Sequence, residues 1–237
     1  MNERTDARTV LISGGGRGIG AATARVMAAA GWNVSLGMRS PALPDWASEV
    51  AGTVAAHRYD AADPQSATDW VAAARERFGR IDAVVANAGI MIRGTVIETS
   101  DADFDELMAV NVGAPRRLVK AAWDDLAASG RGRVIIVSSL SGKRVKSAGS
   151  GLYSVSKFAA TGLAHAIRHA GFELGIRATA VCPGFVATDM GLPLAKVPAE
   201  ELTSPEDLAR SIAFLIELPN TSSVAEFAVN CRLEESF

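Results

Sequence analysis

A tyrosine and a lysine stand four residues apart in the segment Tyr153-Ser154-Val155-Ser156-Lys157. On a helix, this spacing places both side chains on one face. A phenol with a pKa near 10 is a poor base at neutral pH, and a neighbouring ammonium group stabilises the phenolate. We therefore expect Lys157 to lower the pKa of Tyr153, so that the tyrosine exchanges a proton with a substrate oxygen. Because this spacing is frequent by chance, the interpretation needs support from other parts of the chain.

A glycine-rich segment near the amino terminus has the composition of a phosphate-binding loop. It joins a predicted strand, Thr9–Ser13, to a predicted helix. Glycine lets the backbone approach a pyrophosphate, which then lies against the free N–H groups at the positive end of the helix. The candidate cofactor-binding residues of this loop are Gly14, Gly16, Arg17, Gly18, Ile19 and Gly20. The alternative is a tight turn that binds nothing.

The segment after the second predicted strand indicates which dinucleotide the loop would hold. Many dinucleotide enzymes carry an acid there that bonds the ribose 2′-hydroxyl. Here the segment reads Leu36-Gly37-Met38-Arg39-Ser40, without a carboxylate. Arg39 would pair with a 2′-phosphate, and Arg17 could supply a second positive charge. The sequence therefore favours NADP(H) over NAD(H); the alternative is that Arg39 is a solvated loop residue.

Apolar runs of strand length alternate with helical periodicity along the whole chain. The predicted strands are Thr9–Ser13, Asn33–Gly37, Thr53–Asp60, Ala83–Asn87, Val134–Ser138, Thr179–Cys182 and Glu226–Asn230. The predicted helices are Ile19–Ala30, Pro64–Phe78, Ala102–Ala128, Tyr153–Leu174 and Pro205–Ile216. This alternation predicts an α/β fold, a doubly wound, Rossmann-like parallel sheet of about seven strands with helices on both faces.

Composition limits the classes of protein that fit. The chain has 237 residues, 49% of them hydrophobic, and no linker divides it, so we expect a single domain over residues 1–237. A net charge of −2 argues against capture of nucleic acid or an anionic membrane. Two distant cysteines, a polar segment Met1–Arg8 and the lack of a long apolar run indicate a cytoplasmic protein.

Polar side chains and glycines follow three of the predicted strands. Ser138-Ser139-Leu140-Ser141 ends one strand, Asn87-Ala88-Gly89 ends another, and a third runs into Cys182-Pro183-Gly184-Phe185-Val186-Ala187-Thr188. The carboxyl ends of parallel strands share one edge of a sheet, where such folds bind ligands. With the glycine loop, Asn111 and the Tyr153/Lys157 pair, this ordered set resembles the short-chain dehydrogenase/reductase family. The resemblance spans about residues 9–230.

The resemblance implies a role for each matching catalytic residue. Tyr153 would donate a proton to a carbonyl oxygen or remove one from an alcohol, and Lys157 would also bind the nicotinamide ribose. Ser139 would hydrogen-bond the reacting oxygen, with Ser138 and Ser141 as competing choices. Asn111 would anchor a water in a proton relay to Lys157.

The resemblance also implies the remaining contacts of the cofactor. Asp60, with Ala61 beside it, matches an adenine-contacting acid, and Asn87 supports the sheet as much as the cofactor. Pro183, Gly184, Val186 and Thr188 would border the nicotinamide. Residues 189–203 would form a substrate lid with an apolar pocket side. The family further suggests a homodimer or homotetramer built on the Ala102–Ala128 and Tyr153–Leu174 helices.

Pro115 gives an independent reason to inspect Asn111. Proline lacks an N–H group, so in a helix the carbonyl of Asn111 would lose its usual partner. Local kinking would then leave that carbonyl to a water molecule. A plain helix boundary is the alternative.

Other polar residues have simpler interpretations. His165 and His169 share a predicted helical face, but no third ligand accompanies them, so we expect no metal site. The cluster Lys143-Arg144-Val145-Lys146 favours a solvated loop over an anion-binding site.

The sequence therefore predicts hydride transfer between NADP(H) and a small or medium ketone, aldehyde or secondary alcohol. One alternative keeps this chemistry with NAD(H) as the cofactor. The other is a non-catalytic dinucleotide-sensing protein on the same fold, because fold does not fix function.

Overall fold

The computed structural model describes residues 7–233 of the 237-residue chain. Most of the polar segment Met1–Arg8 therefore lies outside the described residues, as does the carboxyl-terminal segment 234–237. Among the residues described, no helix is both long enough and apolar enough to cross a membrane.

Seven strands form one sheet. They are β1 (Thr9–Ser13), β2 (Asn33–Met38), β3 (Val54–Arg58), β4 (Ala83–Ala86), β5 (Arg133–Val137), β6 (Arg177–Pro183) and β7 (Glu226–Val229). Every residue of β1, β4 and β5 is buried. Strands of a parallel sheet covered on both faces have no solvent side, which explains their continuous apolar runs. All seven predicted strands are confirmed, with ends shifted by at most two residues.

The strand order explains where a ligand would lie. The strands follow one another as β3-β2-β1-β4-β5-β6-β7, and every neighbouring pair is parallel. From β1 the chain adds strands on one side and then crosses to the other side to add β4. In such sheets, ligands bind outside the carboxyl ends of the strands at this reversal. The doubly wound fold is confirmed, and the reversal of strand order lies between β1 and β4.

Helices cover both faces of the sheet. They are α1 (Gly18–Ala29), α2 (Ser66–Phe78), α3 (Asp101–Met108), α4 (Ala114–Ala121), α5 (Trp123–Ala128), α6 (Gly151–Gly171) and α7 (Pro205–Glu217). One apolar core packs α1 and α7 against the sheet, and a second packs α2, α4, α5 and α6 against the opposite face. Short 3₁₀ helices occupy Asp45–Ser48, Leu140–Gly142, Ala148–Ser150, Leu192–Leu194 and Ala199–Glu201.

Two predicted helix starts differ by two residues in the structure. α2 begins at Ser66 rather than at Pro64; the Asp63 carboxylate accepts a bond from the Gln65 N–H at 3.0 Å and forms a turn before the helix. The helix of the Tyr153/Lys157 pair begins at Gly151 rather than at Tyr153. Tyr153 therefore lies inside the first turn of α6.

The predicted helix Ala102–Ala128 is not one regular helix. α3 passes into a π-helical turn at Ala109–Gly113, which leads directly into α4, and a break then separates α4 from α5. The backbone stays helical through the π turn, with φ −60° and ψ −42° at Ala109 and φ −62° and ψ −46° at Gly113. The irregularity around Asn111 and Pro115 is therefore a widened turn and not a helix boundary. Such turns are frequent at functional sites.

Candidate active site

The candidate site lies along the carboxyl edge of the sheet. Loops that follow β1, β4, β5 and β6 meet there, and the first turns of α6 close the site from one side. Each loop brings one of the groups predicted from the sequence. The structure therefore gathers residues that are up to 174 positions apart, from Gly14 to Thr188, around one crevice.

The glycine loop has the shape of a phosphate cradle. Gly18 adopts a φ of +53° and opens α1, whose first turn contains no acidic residue. A Cβ on Gly20 would lie 2.3 Å from the carbonyl oxygen of Gly14, so the loop closes on itself where only glycine fits. The free N–H groups of the α1 terminus and its positive end suit an anionic pyrophosphate. These residues fit a dinucleotide cofactor.

Asn87 holds the crevice together. Its Nδ2 donates to the carbonyl oxygens of Ser13 at 3.0 Å and Gly14 at 3.3 Å. The Ser13 hydroxyl in turn accepts bonds from the N–H groups of Asn87 and Ala88, both at 3.0 Å. Asn87 thus ties the end of β4 to the glycine loop, which is the sheet-supporting half of its predicted role.

Arg39 lies in the segment after β2, where a residue that binds a 2′-phosphate would be needed. It follows β2, is exposed, and makes no ion pair with any other residue in 7–233. Its neighbour Met38 touches the glycine loop, because a Cβ on Gly16 would lie 3.0 Å from the Met38 sulfur. Arg17 is the next residue of that loop. The backbone therefore brings Arg17 and Arg39 to one corner of the crevice, which we call the arginine corner.

The sequence analysis missed a third arginine at this corner. Arg58 ends β3 and pairs in register with Met38 of β2. It is exposed and, among the described residues, has no ion-pair partner. Its place at the carboxyl end of β3 was the available signal, because the carboxyl ends of parallel strands form the edge where such folds bind ligands.

Asp60 and Ala61 lie just beyond β3, which ends at Arg58 and not at Asp60 as predicted. The Asp60 carboxylate accepts the N–H of Ala62 at 3.0 Å and so shapes its own loop. Arg117 of α4 donates to the carbonyl oxygen of Ala61 at 2.8 Å. The loop assigned to adenine is thus fixed from the neighbouring helix.

The three serines after β5 differ in the hydrogen bonds that they make. Ser138 is buried, donates to the Lys157 carbonyl at 3.0 Å and contacts the Thr161 hydroxyl at 2.8 Å. Those bonds fasten the loop to α6 and leave Ser138 no free capacity to donate. Ser139 is less buried and lies within hydrogen-bonding reach of Tyr153. Of the competing choices, Ser139 is therefore the one placed beside the tyrosine, while Ser141 uses its N–H to bond the Ser139 hydroxyl at 3.1 Å.

Tyr153 and Lys157 are both buried side chains on one face of α6. The Lys157 Nζ lies 5.6 Å from the centre of the Tyr153 ring and donates to the Val137 carbonyl at 3.0 Å. Burial raises the pKa of Tyr153 to about 12, a shift that its hydrogen bond with Ser139 opposes. Burial also lowers the pKa of Lys157 to about 8, against a smaller opposing effect of Cys182.

The predicted lowering of the tyrosine pKa by Lys157 is wrong for this structure. Loss of solvent around the phenol disfavours its charged form, and the side chain that opposes this shift is Ser139 and not Lys157. The same loss of solvent pushes the lysine towards its neutral form. At neutral pH the phenol is protonated, and the ammonium titrates close to the working range.

Asn111 faces the site because the π turn directs it inward. Its Oδ1 accepts the Ile90 N–H at 2.9 Å, and its Nδ2 donates to the Ile90 carbonyl and to the Ser156 hydroxyl, both at 3.0 Å. A Cβ on Gly89 would lie 3.1 Å from the Asn111 Oδ1 and 3.7 Å from the Lys157 Nζ. Asn111 and Lys157 therefore flank the same glycine. The water that Asn111 would hold stays a prediction.

Ser156 is a second residue that the sequence analysis did not assign. It is fully buried, donates to the Tyr153 carbonyl at 2.8 Å and accepts the bond from Asn111. Ser156 thus links α6 to the π turn. Its place one residue before Lys157, on the side of α6 that faces α3 and the π turn, was the available signal.

The segment after β6 closes the crevice. Val186 is buried and pairs with Thr203 in an isolated parallel bridge, so the two ends of the predicted lid, residues 189–203, lie together. The Thr188 methyl group packs against Gly18 of the glycine loop, where a Cβ would lie 3.1 Å away. Gly184 is equally confined, since a Cβ there would lie 2.1 Å from the Asn230 side-chain oxygen.

One lysine of the basic cluster and one of the two histidines on α6 share a structural partner. Lys143 and His165 both bind the carboxylate of Glu226, the first residue of β7, and the His165 Nε2 lies 2.6 Å from Oε1. Lys143 is therefore not the solvated loop residue that was predicted; Lys146 is exposed. Throughout residues 7–233, no group of His, Cys, Asp or Glu side chains has the arrangement of a metal site.

Comparison with known proteins agrees with this geometry. The sequence profile for "short chain dehydrogenase" matches residues 8–197. An agropine synthesis reductase of Rhizobium rhizogenes is 35% identical over 95% of this chain, but the chain spans only 53% of that relative's length. The oxidoreductase UcpA of Escherichia coli is 32% identical over 97% of this chain and 89% of its own length. An alcohol dehydrogenase of Thermococcus sibiricus, solved with 5-hydroxy-NADP, has a TM-score of 0.85 at 29% identity, covering 97% of this chain and 100% of that one.

Proposed function

Because the chain belongs to the short-chain dehydrogenase/reductase family of oxidoreductases, we propose that it transfers hydride between NADP(H) and a small or medium ketone, aldehyde or secondary alcohol. The observation that carries this proposal is the buried pair of Tyr153 and Lys157, with Ser139 next to the tyrosine, beside a glycine loop shaped for a pyrophosphate. The similar alcohol dehydrogenase solved with an NADP derivative supports the choice of cofactor class.

The cofactor would lie between the glycine loop and the segment Pro183–Thr188. When bound, NADPH supplies the hydride that the carbonyl carbon receives. Gly14, Gly16, Gly18, Ile19 and Gly20 would hold the pyrophosphate, and Asp60, Ala61, Asn87, Ala88 and Gly89 would border the adenosine and ribose. Pro183, Gly184, Val186 and Thr188 would hold the nicotinamide in place.

Tyr153 would supply the proton. Its pKa of about 12 keeps the phenol protonated at neutral pH, so it can donate to the carbonyl oxygen as that oxygen gains charge. Ser139 would donate a hydrogen bond to the same oxygen and so orient it between the two hydroxyls. The phenolate left on Tyr153 would take a proton back from the Lys157 side. With a pKa of about 8, Lys157 can regain that proton from solvent near neutral pH, through the water that Asn111 would hold.

Arg39 and Arg17 support NADP(H) over NAD(H). Both are exposed at the arginine corner, and a guanidinium pairs with a phosphate through two parallel hydrogen bonds. We expect Arg39→Asp to weaken NADPH binding and to improve NADH binding relative to the wild type.

We also propose an oligomeric state and a cellular location for this protein. Val155 and Phe158 on α6 and Phe104 on α3 are exposed apolar side chains, which supports a homodimer or homotetramer through these helices. Two unpaired cysteines support a reducing, cytoplasmic setting. We propose one domain with a lid over residues 189–203, and neither nucleic acid nor membrane as a partner.

The test follows nicotinamide absorbance with a panel of carbonyl compounds and each cofactor. We expect Tyr153→Phe to lower kcat by about 10²- to 10⁴-fold, as loss of a general acid does, with cofactor affinity nearly unchanged. Tyr59→Phe is the matched control, because Tyr59 is the only other tyrosine and packs against Trp70 in the core. Cofactor binding without turnover on any substrate would instead support a dinucleotide-sensing protein.

A further inference from the structure

An ion pair connects the glycine loop to the start of the lid. The Nη1 of Arg17 lies 2.9 Å from the Oδ2 of Asp189. The two side chains are exposed by 78% and 72% of their areas, and a groove of about 320 Å³ lies beside them. The pair is therefore open to solvent and to a bound ligand.

Arg17 is positioned for two different anions. It is the residue immediately before α1, and the adjoining Gly16 touches Met38, which precedes Arg39. A 2′-phosphate held by Arg39 would therefore attract the guanidinium of Arg17. Asp189 already occupies one edge of that guanidinium, so the two anions compete for it.

The position of Asp189 is fixed by its neighbours. The Thr188 methyl group packs against Gly18, and the Thr188 hydroxyl accepts the N–H of Gly191 at 3.2 Å. Arg17, by contrast, has a long exposed side chain whose guanidinium has no other partner among residues 7–233. Arg17 can swing towards the arginine corner, while the backbone at Asp189 stays in place. The swing would break the ion pair.

We propose that Asp189 is an internal competitor for Arg17 and so sets the affinity for NADP(H) separately from that for NAD(H). In this proposal, which rests on the proposed function, a 2′-phosphate withdraws Arg17 from Asp189, whereas a dinucleotide without that phosphate leaves the ion pair intact. The ion pair between the first residue of the lid and the glycine loop is thereby broken only when the phosphorylated cofactor binds.

The test measures dissociation constants of NADPH and NADH by calorimetry, without any substrate. An exposed ion pair is weak, so we expect Asp189→Asn to tighten NADPH binding by about two- to fivefold. The Kd of NADH should not change. Glu206→Gln is the matched control: Glu206 lines the same groove and loses the same charge, but it makes no ion pair with a described residue. It should alter NADPH binding by less than Asp189→Asn does.

Four results would overturn the proposal. Equal effects of the two variants would show that only the general charge of the groove matters. Equal tightening of NADPH and NADH by Asp189→Asn would show that the 2′-phosphate is not involved. If the wild type binds neither dinucleotide, the proposed function fails and the competition fails with it. Binding by the wild type with no response to Asp189→Asn overturns the competition alone, and a thermal melt of each variant verifies its fold.

Discussion

Replacing Lys157 by methionine is expected to stabilise the protein while it removes turnover. Burial lowers the pKa of Lys157 from 10.5 to about 8. One pKa unit corresponds to about 1.4 kcal/mol, so the folded state at pH 7 carries a penalty of about 3 kcal/mol for keeping this ammonium charged. Methionine is similar in length and carries no charge, so it avoids the penalty.

The substitution also removes a favourable contact. The Lys157 Nζ donates to the Val137 carbonyl at 3.0 Å, and an unsatisfied buried acceptor costs about 1–3 kcal/mol. The difference leaves a net gain of up to about 2 kcal/mol in the free energy of unfolding of Lys157→Met at pH 7.

The pH dependence provides the sharper measurement. The unfolded chain binds a proton at this lysine up to a pKa of 10.5, and the folded chain releases it at about 8. Between these values the unfolded state binds more protons, so the stability of the wild type rises with pH relative to the variant. Urea unfolding at fixed protein concentration from pH 7 to pH 10 should show the advantage of Lys157→Met shrinking across this range.

Two outcomes would refute the reasoning. A wild type more stable than Lys157→Met at pH 7 would mean that the ammonium is not penalised by burial. A difference that does not change with pH would mean that the lysine titrates normally in the folded protein. Lys146→Met is the control: Lys146 is exposed, and the same chemical change there should alter stability by less than about 0.5 kcal/mol.

Three further perturbations test other parts of the site. Gly20→Ala places a Cβ 2.3 Å from a loop carbonyl oxygen, so the Kd for NADPH measured by calorimetry should rise at least about tenfold. Gly149→Ala is the control: a Cβ there meets nothing within 4 Å, so this variant should bind NADPH normally. Ser156→Ala leaves the Asn111 amide one acceptor short and should cost about 1–3 kcal/mol in urea unfolding and lower kcat more than it raises KM; an unchanged kcat would contradict the link to Asn111. Glu226→Gln should destabilise the fold at pH 7, because hydrogen bonding from its lysine partner lowers the pKa of the Glu226 carboxyl. The stability that the Glu226 carboxylate contributes is present above pH 4.5 and is lost as pH falls through the lowered pKa. The free energies of unfolding of the wild type and the variant should therefore converge in acid.

The strands and the edge that carries the site could be predicted because their signals are local. A strand such as β5 is a short apolar run with polar residues directly after it, and parallel strands bring their carboxyl ends together. Ser139 and Asn87 were therefore assigned to one edge without knowledge of any contact between them. The glycine loop could also be predicted, because it lies within a single strand–turn–helix unit.

Contacts between distant parts of the chain could not be predicted from the sequence. The pairing of Lys143 with Glu226 joins residues 83 positions apart, and that of Arg17 with Asp189 joins residues 172 positions apart. The pKa of Tyr153 depends on burial, which the spacing to Lys157 does not reveal. Pro115 indicated an irregular helix but not whether the irregularity is a π turn or a helix boundary. In both cases the proline lacks the N–H group that would bond the carbonyl four residues earlier.

The π turn at Ala109–Gly113 makes the site sensitive to the number of residues as well as to their identity. A π turn holds one residue more than an α-helical turn, so one residue fewer here would restore a regular helix and move the residues of the turn itself to new positions around the helix axis. An in-frame loss of one codon there would keep the helical backbone and yet turn the amide of Asn111 away from Ile90 and Ser156. Along this stretch, insertions and deletions should be tolerated less well than substitutions.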